Sequence, residues 1–264
     1  MASTKEDVRY APIRSLVRGL EVLQTINREG SLTLTRICKL TGLPYPTVFR
    51  IMQTLIAEGF VESEPARKWY RPTILAKTLS SGFPEESRLV AVARPYIVEL
   101  TEKFAWPISI TTRVGNMMMV RDSTHSLTSL TLSNYAPGYT LPLAECSTGK
   151  AYLAFCTEEE RRSIRKGFGL LEHPADRIGA MLMDGESLFD EIRAQGYAIQ
   201  ARNAYTSNPG KTSSIAVPIV QGGTIYGAMA IIFFTVGVKM EKAVEAFVDD
   251  LKLTAGKIAE EMAA

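Results

Sequence analysis

Thr33-Leu34-Thr35-Arg36-Ile37-Cys38-Lys39-Leu40-Thr41-Gly42-Leu43-Pro44-Tyr45-Pro46-Thr47-Val48-Phe49-Arg50-Ile51-Met52-Gln53-Thr54-Leu55-Ile56-Ala57-Glu58 is the stretch on which the fold turns. Ile37 and Leu40 share a face, with Leu34 a turn earlier, so Thr33 to Leu40 predicts a short helix. Gly42 follows, where a sharp turn calls for a residue free to take positive φ, and Leu43 packs under that turn. Pro46 suits a first helical position, because its missing N–H would be unpaired there anyway. Val48, Ile51, Met52 and Leu55 then repeat on one side, leaving Thr47, Arg50, Gln53 and Thr54 outward. Hydroxyls, an amide and a guanidinium are groups that reach base edges and phosphates. An ordinary helical hairpin with a solvated face has the same periodicity, so the pattern by itself leaves both readings open.

The flanking residues favour DNA. Gly59 ends the helix, Phe60-Val61-Glu62 predicts a strand, Ser63 to Lys68 a polar turn, and Trp69-Tyr70-Arg71 a return strand. Such a two-stranded wing places Arg67, Lys68 and Arg71 for phosphate contact. Thr35 and Arg36 are candidates for further contacts to the DNA backbone. Ahead of the hairpin, Ser15 is expected to cap a helix reaching Arg28, with Leu16, Leu20, Leu23 and Ile26 as its buried stripe and Val22 widening it. Residues 1–76 hold 11 Lys/Arg against 7 Asp/Glu, a balance of +4, whereas residues 77–264 hold 19 against 21. The basic excess therefore lies with the winged helix, as a nucleic-acid contact needs.

The chain has 264 residues, 46% of them hydrophobic and 22% charged, which is the composition of a globular protein of one large or two ordinary domains. The three cysteines, Cys38, Cys146 and Cys156, form no C-x-x-C pair, and Cys38 is expected to be a small core residue. No basic start leads into an apolar run, and the longest apolar stretch, Ile225 to Val238, is too short to span a bilayer. The expectation is a cytoplasmic protein with reduced thiols and no membrane partner.

Residues 1–12 are expected to form a loose tail. After the wing, Ile74 to Leu79 predicts a linker helix, and Ser80-Ser81-Gly82-Phe83-Pro84 a boundary. This divides the chain into a DNA-binding domain (1–72), a linker helix (73–84) and a second domain (85–264). The second domain opens with a long helix from Glu85, buried through Leu89, Ala93, Tyr96, Ile97, Leu100 and Phe104. Residues 107–113 and 117–121 predict a hairpin about Gly115-Asn116, and Leu127 to Ser133 a third strand. Asn134 to Leu143 is expected to be a loop. Helices follow at Ser147 to Phe155 and at Thr157 to Lys166, the latter capped by Thr157. Gly167 to Asp184 is read as mostly irregular and Glu186 to Gln195 as a helix. Tyr197 to Ala201 is a strand, Tyr205 to Thr212 is polar, and Ser214 to Val220 with Ile225 to Phe234 form a hairpin about Gly222-Gly223. A helix from Met240 to Met262 closes the chain. Antiparallel strands with segregated helices argue an α+β sheet covered on one side, able to cup a small ligand.

Several stretches resemble, in order, the bacterial IclR-type transcriptional regulators. They are Ser15-Leu16-Val17-Arg18-Gly19-Leu20-Glu21-Val22-Leu23, the span from Leu40 to Arg50, Leu55-Ile56-Ala57-Glu58-Gly59-Phe60-Val61, Gly149-Lys150-Ala151-Tyr152-Leu153-Ala154, and Ser214-Ile215-Ala216-Val217-Pro218-Ile219. Each is weak alone; their order and spacing are specific. The resemblance implies a winged helix-turn-helix joined by a linker helix to a GAF/PAS-like effector domain. It also implies a double-stranded operator, a small-molecule effector that is an organic acid, and a homodimer or homotetramer. Trp106-Pro107, Met119 to His125 and Leu141-Pro142-Leu143 resemble regulators of aromatic-acid breakdown, notably of hydroxyphenylpropionate catabolism. The family's pocket maps onto the backbone N–H groups of Ser147 and Thr148 and onto Ser214. A helix N-terminus independently suits an anion. Gln200 stands where some members carry an acid, and Ala230 and Ile232 where some carry serines. These departures favour an effector with an apolar or aromatic body and one anionic end, with Met119, Leu130, Leu141 and Met229 as candidate walls, though plain core packing is the commoner role for each taken singly.

An enzyme is the competing class. His125 and His173 fit no metal-ligand spacing, and no G-x-S-x-G, Walker A or G-x-G-x-x-G is present. No cofactor or metal site is expected. Cys146 or Cys156 with His125 is the one conceivable nucleophile–base pair, and a buried thiol is the plainer reading. A third class is a DNA-binding protein with no effector, against which the long second domain argues.

Overall fold

The computed structural model describes residues 13–64, 68–79, 84–131, 135–168, 186–204 and 209–264. The expected tail at 1–12, Arg67 in the wing, the boundary at 80–83, the stretch 169–185 with His173, and 205–208 lie outside the described residues. The chain divides into two compact units, Met1–Gly82 and Phe83–Ala264.

The first unit contains α1 (Arg14–Glu29), β1 (Leu32–Thr33), α2 (Leu34–Thr41), α3 (Tyr45–Ala57), β2 (Val61–Glu64), β3 (Trp69–Pro72) and α4 (Ile74–Thr78). Thr33 is the cap of α2 rather than its first residue, its hydroxyl accepting from the Arg36 N–H. Gly42 takes φ 67° between α2 and α3, and Pro46 sits in the first turn of α3. Val22, Ile26, Ile37, Val48 and Met52 are fully buried together. Each such side chain stabilises the unit by about 1.5–3 kcal/mol. Ser15 does not cap α1; it lies within the helix, whose cap position is Ile13. The expected stripe on α1 is buried only in its second half, and Leu16 and Leu20 are exposed. The wing carries a strand beyond the expected two, because Leu32–Thr33 pairs with β3 to give the order β1-β3-β2.

The second unit is built on six antiparallel strands, β4 (Ile108–Val114), β5 (Met117–Ser123), β6 (Thr140–Pro142), β7 (Ala198–Gln200), β8 (Thr212–Gln221) and β9 (Thr224–Phe234), in the order β6-β5-β4-β9-β8-β7. The third strand of the first meander is Thr140–Pro142, and the described part of the expected strand at Leu127 to Ser133, residues 127–131, is not a strand. His125–Leu127 is instead a single tight turn, and Leu141 pairs with Met118. Pro142 has no N–H to give a ladder, and β6 lies at the sheet edge, where none is asked of it. Gly222 and Gly223 both take positive φ, so the β8–β9 turn is a two-residue hairpin that suits the strand twist.

One sheet face packs on α5 (Pro84–Phe104) and on the closing helix, through Ile110, Val217, Met229 and Ile231 against Ile97, Leu251 and Ile258. The sheet is not bare on the other side, as a single-sided covering would require. Along the chain between α5 and that closing helix come α6 (Ser147–Phe155), α7 (Glu158–Phe168) and α8 (Glu186–Gln195), and α9 is the closing helix itself (Met240–Ala263). Ala216, Ala228 and Ala230 are small enough to let α6 lie close, and Leu153, Phe189 and Ile192 complete that second core. Where this layer stops, the sheet face borders a cavity.

Candidate functional site

In the first unit, α3 turns Val48 and Met52 into the core and leaves Pro46, Arg50, Gln53 and Thr54 exposed, with Thr47 half-buried. On α2, Thr35 and Arg36 are exposed beside them. Arg50 and Thr47 line a groove together with Arg14 and Arg18 of α1, two basic residues that periodicity alone gave no reason to single out. Tyr45 and Phe49 stack on the flank of α3, ring centroids 6.4 Å apart. Lys68 is exposed at the wing tip, at φ 54°. Arg71 is exposed too, but its Nε lies 2.6 Å from Glu62 Oε1 across the β2–β3 ladder, so a carboxylate already meets its charge.

In the second unit, the cavity over the sheet lies at the first turn of α6. Ser147 and Thr148 line it, and so do Leu141, Ser214, Ala230 and Ile232, six of the ten residues read from the sequence. Ser147 Oγ and Ser214 Oγ lie 2.7 Å apart. An α-helix gives its first N–H groups no internal partner, so those of Ser147 and Thr148 are available to an acceptor. Cys146 is the cap of α6, its sulfur 3.3 Å from the Gly149 N–H. Burial pushes the Cys146 and Cys156 thiols up, the opposite of what an activated nucleophile needs.

The other four candidates do not line it. Met229 and Met119 fall on the wrong parity: strand side chains alternate, so Ala230 and Val120 face the cavity and their neighbours face away. Met229 is core beneath α5 and α9. Leu130 follows the turn that replaced the expected strand, half-buried, its N–H held by the Thr128 hydroxyl. Gln200 pairs with Ser214 across β7–β8, but its Oε1 accepts from Lys150 Nζ at 2.7 Å. Burial holds that ammonium below the usual lysine range.

Ser109, Thr111, Tyr135, Asn203, Thr212 and Ser213 complete most of the rim, and sequence reading missed them. Short hydroxyl residues on strands carry no periodic signal, and Tyr135 and Asn203 come from loops far apart in the chain. Tyr135 Oη lies 3.3 Å from Thr212 Oγ1, and the Asn203 N–H donates to the Thr212 carbonyl at 2.8 Å. The lining is thus richer in hydroxyls than expected, with Val120, Leu141 and Ile232 as its apolar wall and no charged side chain among its described residues. The room open to the centre of a water-sized sphere is about 20 Å3, close to one water. Among the described residues no cluster of His, Cys, Asp or Glu suits a metal ion, and no helix is long and apolar enough to cross a membrane.

A winged helix-turn-helix followed by an antiparallel sheet with a helix-capped cavity is the build of a DNA-binding transcriptional regulator. Residues 15–65 match the IclR helix-turn-helix domain, and residues 85–260 match the bacterial transcriptional regulator IclR C-terminal family. The chain belongs to the IclR family. It is 27% identical over 244 residues to the transcriptional repressor IclR of Escherichia coli, covering 83% of this chain and 86% of that protein. An IclR family regulator from Brucella abortus superposes with a TM-score of 0.62 at 25% identity, over 97% of this chain and 94% of that one. The fold is shared with an IclR homolog from Microbacterium hydrocarbonoxydans complexed with 4-hydroxybenzoate, at a TM-score of 0.65 and 20% identity over 94% and 99% of the two chains. Three of this chain's relatives, from Salmonella typhimurium and Escherichia coli, are repressors.

Proposed function

We propose that this regulator binds a pseudo-palindromic operator as a homodimer or homotetramer and senses a small carboxylic acid, controlling a catabolic operon from the cytoplasm. The observation that carries the sensing role is the cavity at the first turn of α6. There two backbone N–H groups and the Ser147–Ser214 hydroxyl pair converge, with no competing carboxylate side chain among the described residues of the lining. A carboxylate takes the helix N-terminus. Val120, Leu141 and Ile232 take an aromatic or aliphatic body, and Tyr135, Asn203 and Thr212 take a far-end hydroxyl. The 4-hydroxybenzoate complex of the Microbacterium homolog makes an aromatic acid the first class to try.

On DNA, Arg50, Thr47 and Gln53 read major-groove edges, with Pro46 fixing the start of the helix. Thr35 and Arg36 hold the adjacent backbone, and Arg67 and Lys68 meet phosphates, while Glu62 holds Arg71 back from them. The linker at 73–84 transmits the effector's differential affinity for two arrangements of the protein.

The test is fluorescence anisotropy with DNA from upstream of this protein's gene, against random DNA, with and without 4-hydroxybenzoate and a panel of other acids. Specific binding altered by an acid supports the whole reading, and indifference to every acid removes the sensing role while leaving the DNA role. Arg50→Ala is expected to weaken specific binding by about 1–3 kcal/mol and to relax discrimination. Equal losses on operator and random DNA would remove base reading from Arg50.

A further inference from the structure

The helix α3 carries two aromatic side chains that the core of the first unit does not use. Tyr45 is 54% and Phe49 42% exposed, and neither ring joins the described apolar core of that unit. Aromatic residues are poorer helix formers than the straight-chain polar residues that suit a solvated face. Single exposed apolar side chains need no explanation, but these two are joined. They stand four positions apart, and their rings stack nearly parallel, at 13° with centroids 6.4 Å apart. Gln53, exposed one turn further on, continues the same row, so the apolar pair runs into a polar group assigned to base edges.

What such a pair can meet in a DNA groove is limited. The floor of the major groove presents donors and acceptors from every base pair and one apolar group, the C5-methyl of thymine. Phe49 has no polar side-chain atom, so neither a phosphate nor a hydrogen-bonding base edge gives it a partner. The Tyr45 ring, stacked on it, widens the apolar surface. A second copy of the chain is the other candidate to cover exposed apolar groups of this unit. The groove that α1 shares with α3 reaches Thr47 and Thr54 on the opposite flank of α3, and Tyr45 and Phe49 do not line it. The aromatic pair is therefore separate from the apolar row of Leu16 and Leu20, which do line it.

We propose that Tyr45 and Phe49 are specificity-determining residues that read thymine by its C5-methyl group, seated against the stacked rings while Arg50 and Gln53 hydrogen-bond to neighbouring base edges. The proposal rests on α3 being the helix that enters the major groove. It adds an apolar readout to the polar one, and it requires a thymine in each half-site beside the pairs that Arg50 and Gln53 read.

The test is uracil in place of thymine, which removes the methyl and leaves every hydrogen-bonding group of the base. Operator duplexes are selected from a random pool with the full-length protein. Each thymine of the enriched half-site is then replaced by uracil in turn, and binding is followed by fluorescence anisotropy. The wild type is expected to lose about fourfold in affinity for each methyl that the rings cover. Phe49→Ala is expected to bind the thymine and uracil forms alike at those positions while still discriminating the pairs read by Arg50. Phe49→Leu keeps an apolar side chain and should keep part of the preference. The position is exposed and outside the core, and the uracil comparison in the wild type involves no variant, so misfolding does not enter. Equal binding of every uracil form by the wild type would overturn the proposal, as would a uracil effect that survives in Tyr45→Ala with Phe49→Ala. A pool that enriches no sequence would instead remove base reading from α3 altogether, and this proposal with it.

Discussion

At the scale of single residues, Gly149 shows how a close approach overrides a local preference. Helix propensity alone favours alanine over glycine by about 1 kcal/mol inside a helix, so Gly149→Ala would be expected to stabilise α6. In the structure an added Cβ would lie 1.7 Å from the Leu143 carbonyl oxygen, a main-chain atom that cannot rotate away. The steric term wins, and Gly149→Ala should destabilise the second unit by about 1–3 kcal/mol. Urea unfolding followed on that unit checks the sign, and a gain in stability would show that the loop at Leu143 yields freely. The glycine was visible in the sequence as part of a family-like stretch, whereas its reason needed the loop to be placed. The same holds for Met119 and Met229. Both were reasonable walls by composition, yet a one-residue difference in strand phase sends a side chain to the opposite face. The β4–β5 pair shifts register between Ile110 and Thr111, which no local pattern announces.

At the scale of elements, the wing was legible as two strands and a basic turn because its residue types are strongly biased. Its electrostatics were not. Reading Arg71 as a phosphate anchor took no account of Glu62, nine positions earlier, which the antiparallel register sets directly opposite. That exposed pair adds little stability, but it occupies the guanidinium. Glu62→Gln should release Arg71, strengthen binding to random DNA, and steepen the dependence of log K on log salt by about 0.9. An unchanged salt slope would mean that Arg71 stays off the phosphates even when free. The expected strand at Leu127 to Ser133 failed for a related reason. Its alternation suited a strand, but Thr124 spends its hydroxyl on the Ile108 N–H and Thr128 gives its own to the Ala105 carbonyl, bonds that hold the chain in a turn. The β5 edge is taken up by Thr140–Pro142 from the stretch read as a loop.

At the scale of the whole molecule, the first unit leaves more apolar surface uncovered than its core requires. Leu16 is 57% and Leu20 49% exposed on the outer half of α1, with Ile13 and Val17 beside them. A contiguous apolar row of this kind marks an interaction surface. The homo-oligomer proposed above would cover it with a second copy, setting two recognition helices on two half-sites. Leu16→Glu with Leu20→Glu should then lower the sedimentation coefficient of the DNA-binding species and abolish cooperative occupation of two half-sites. Unchanged sedimentation and unchanged cooperativity would place the interface elsewhere.

The tightness of the cavity at α6 bears on time rather than affinity. A space of about 20 Å3 admits no aromatic acid until its walls part. Entry then waits on an opening motion of the protein, and collision frequency ceases to set the pace. In stopped-flow mixing, the observed rate should rise with acid concentration and then level off at the opening rate. A rate that stays linear to the highest concentration would mean that the walls yield without delay. With saturating rates, a regulator that sensed an acid here would ignore brief pulses and answer sustained ones, so the packing that closes the pocket would also set how long a signal must last to be heard.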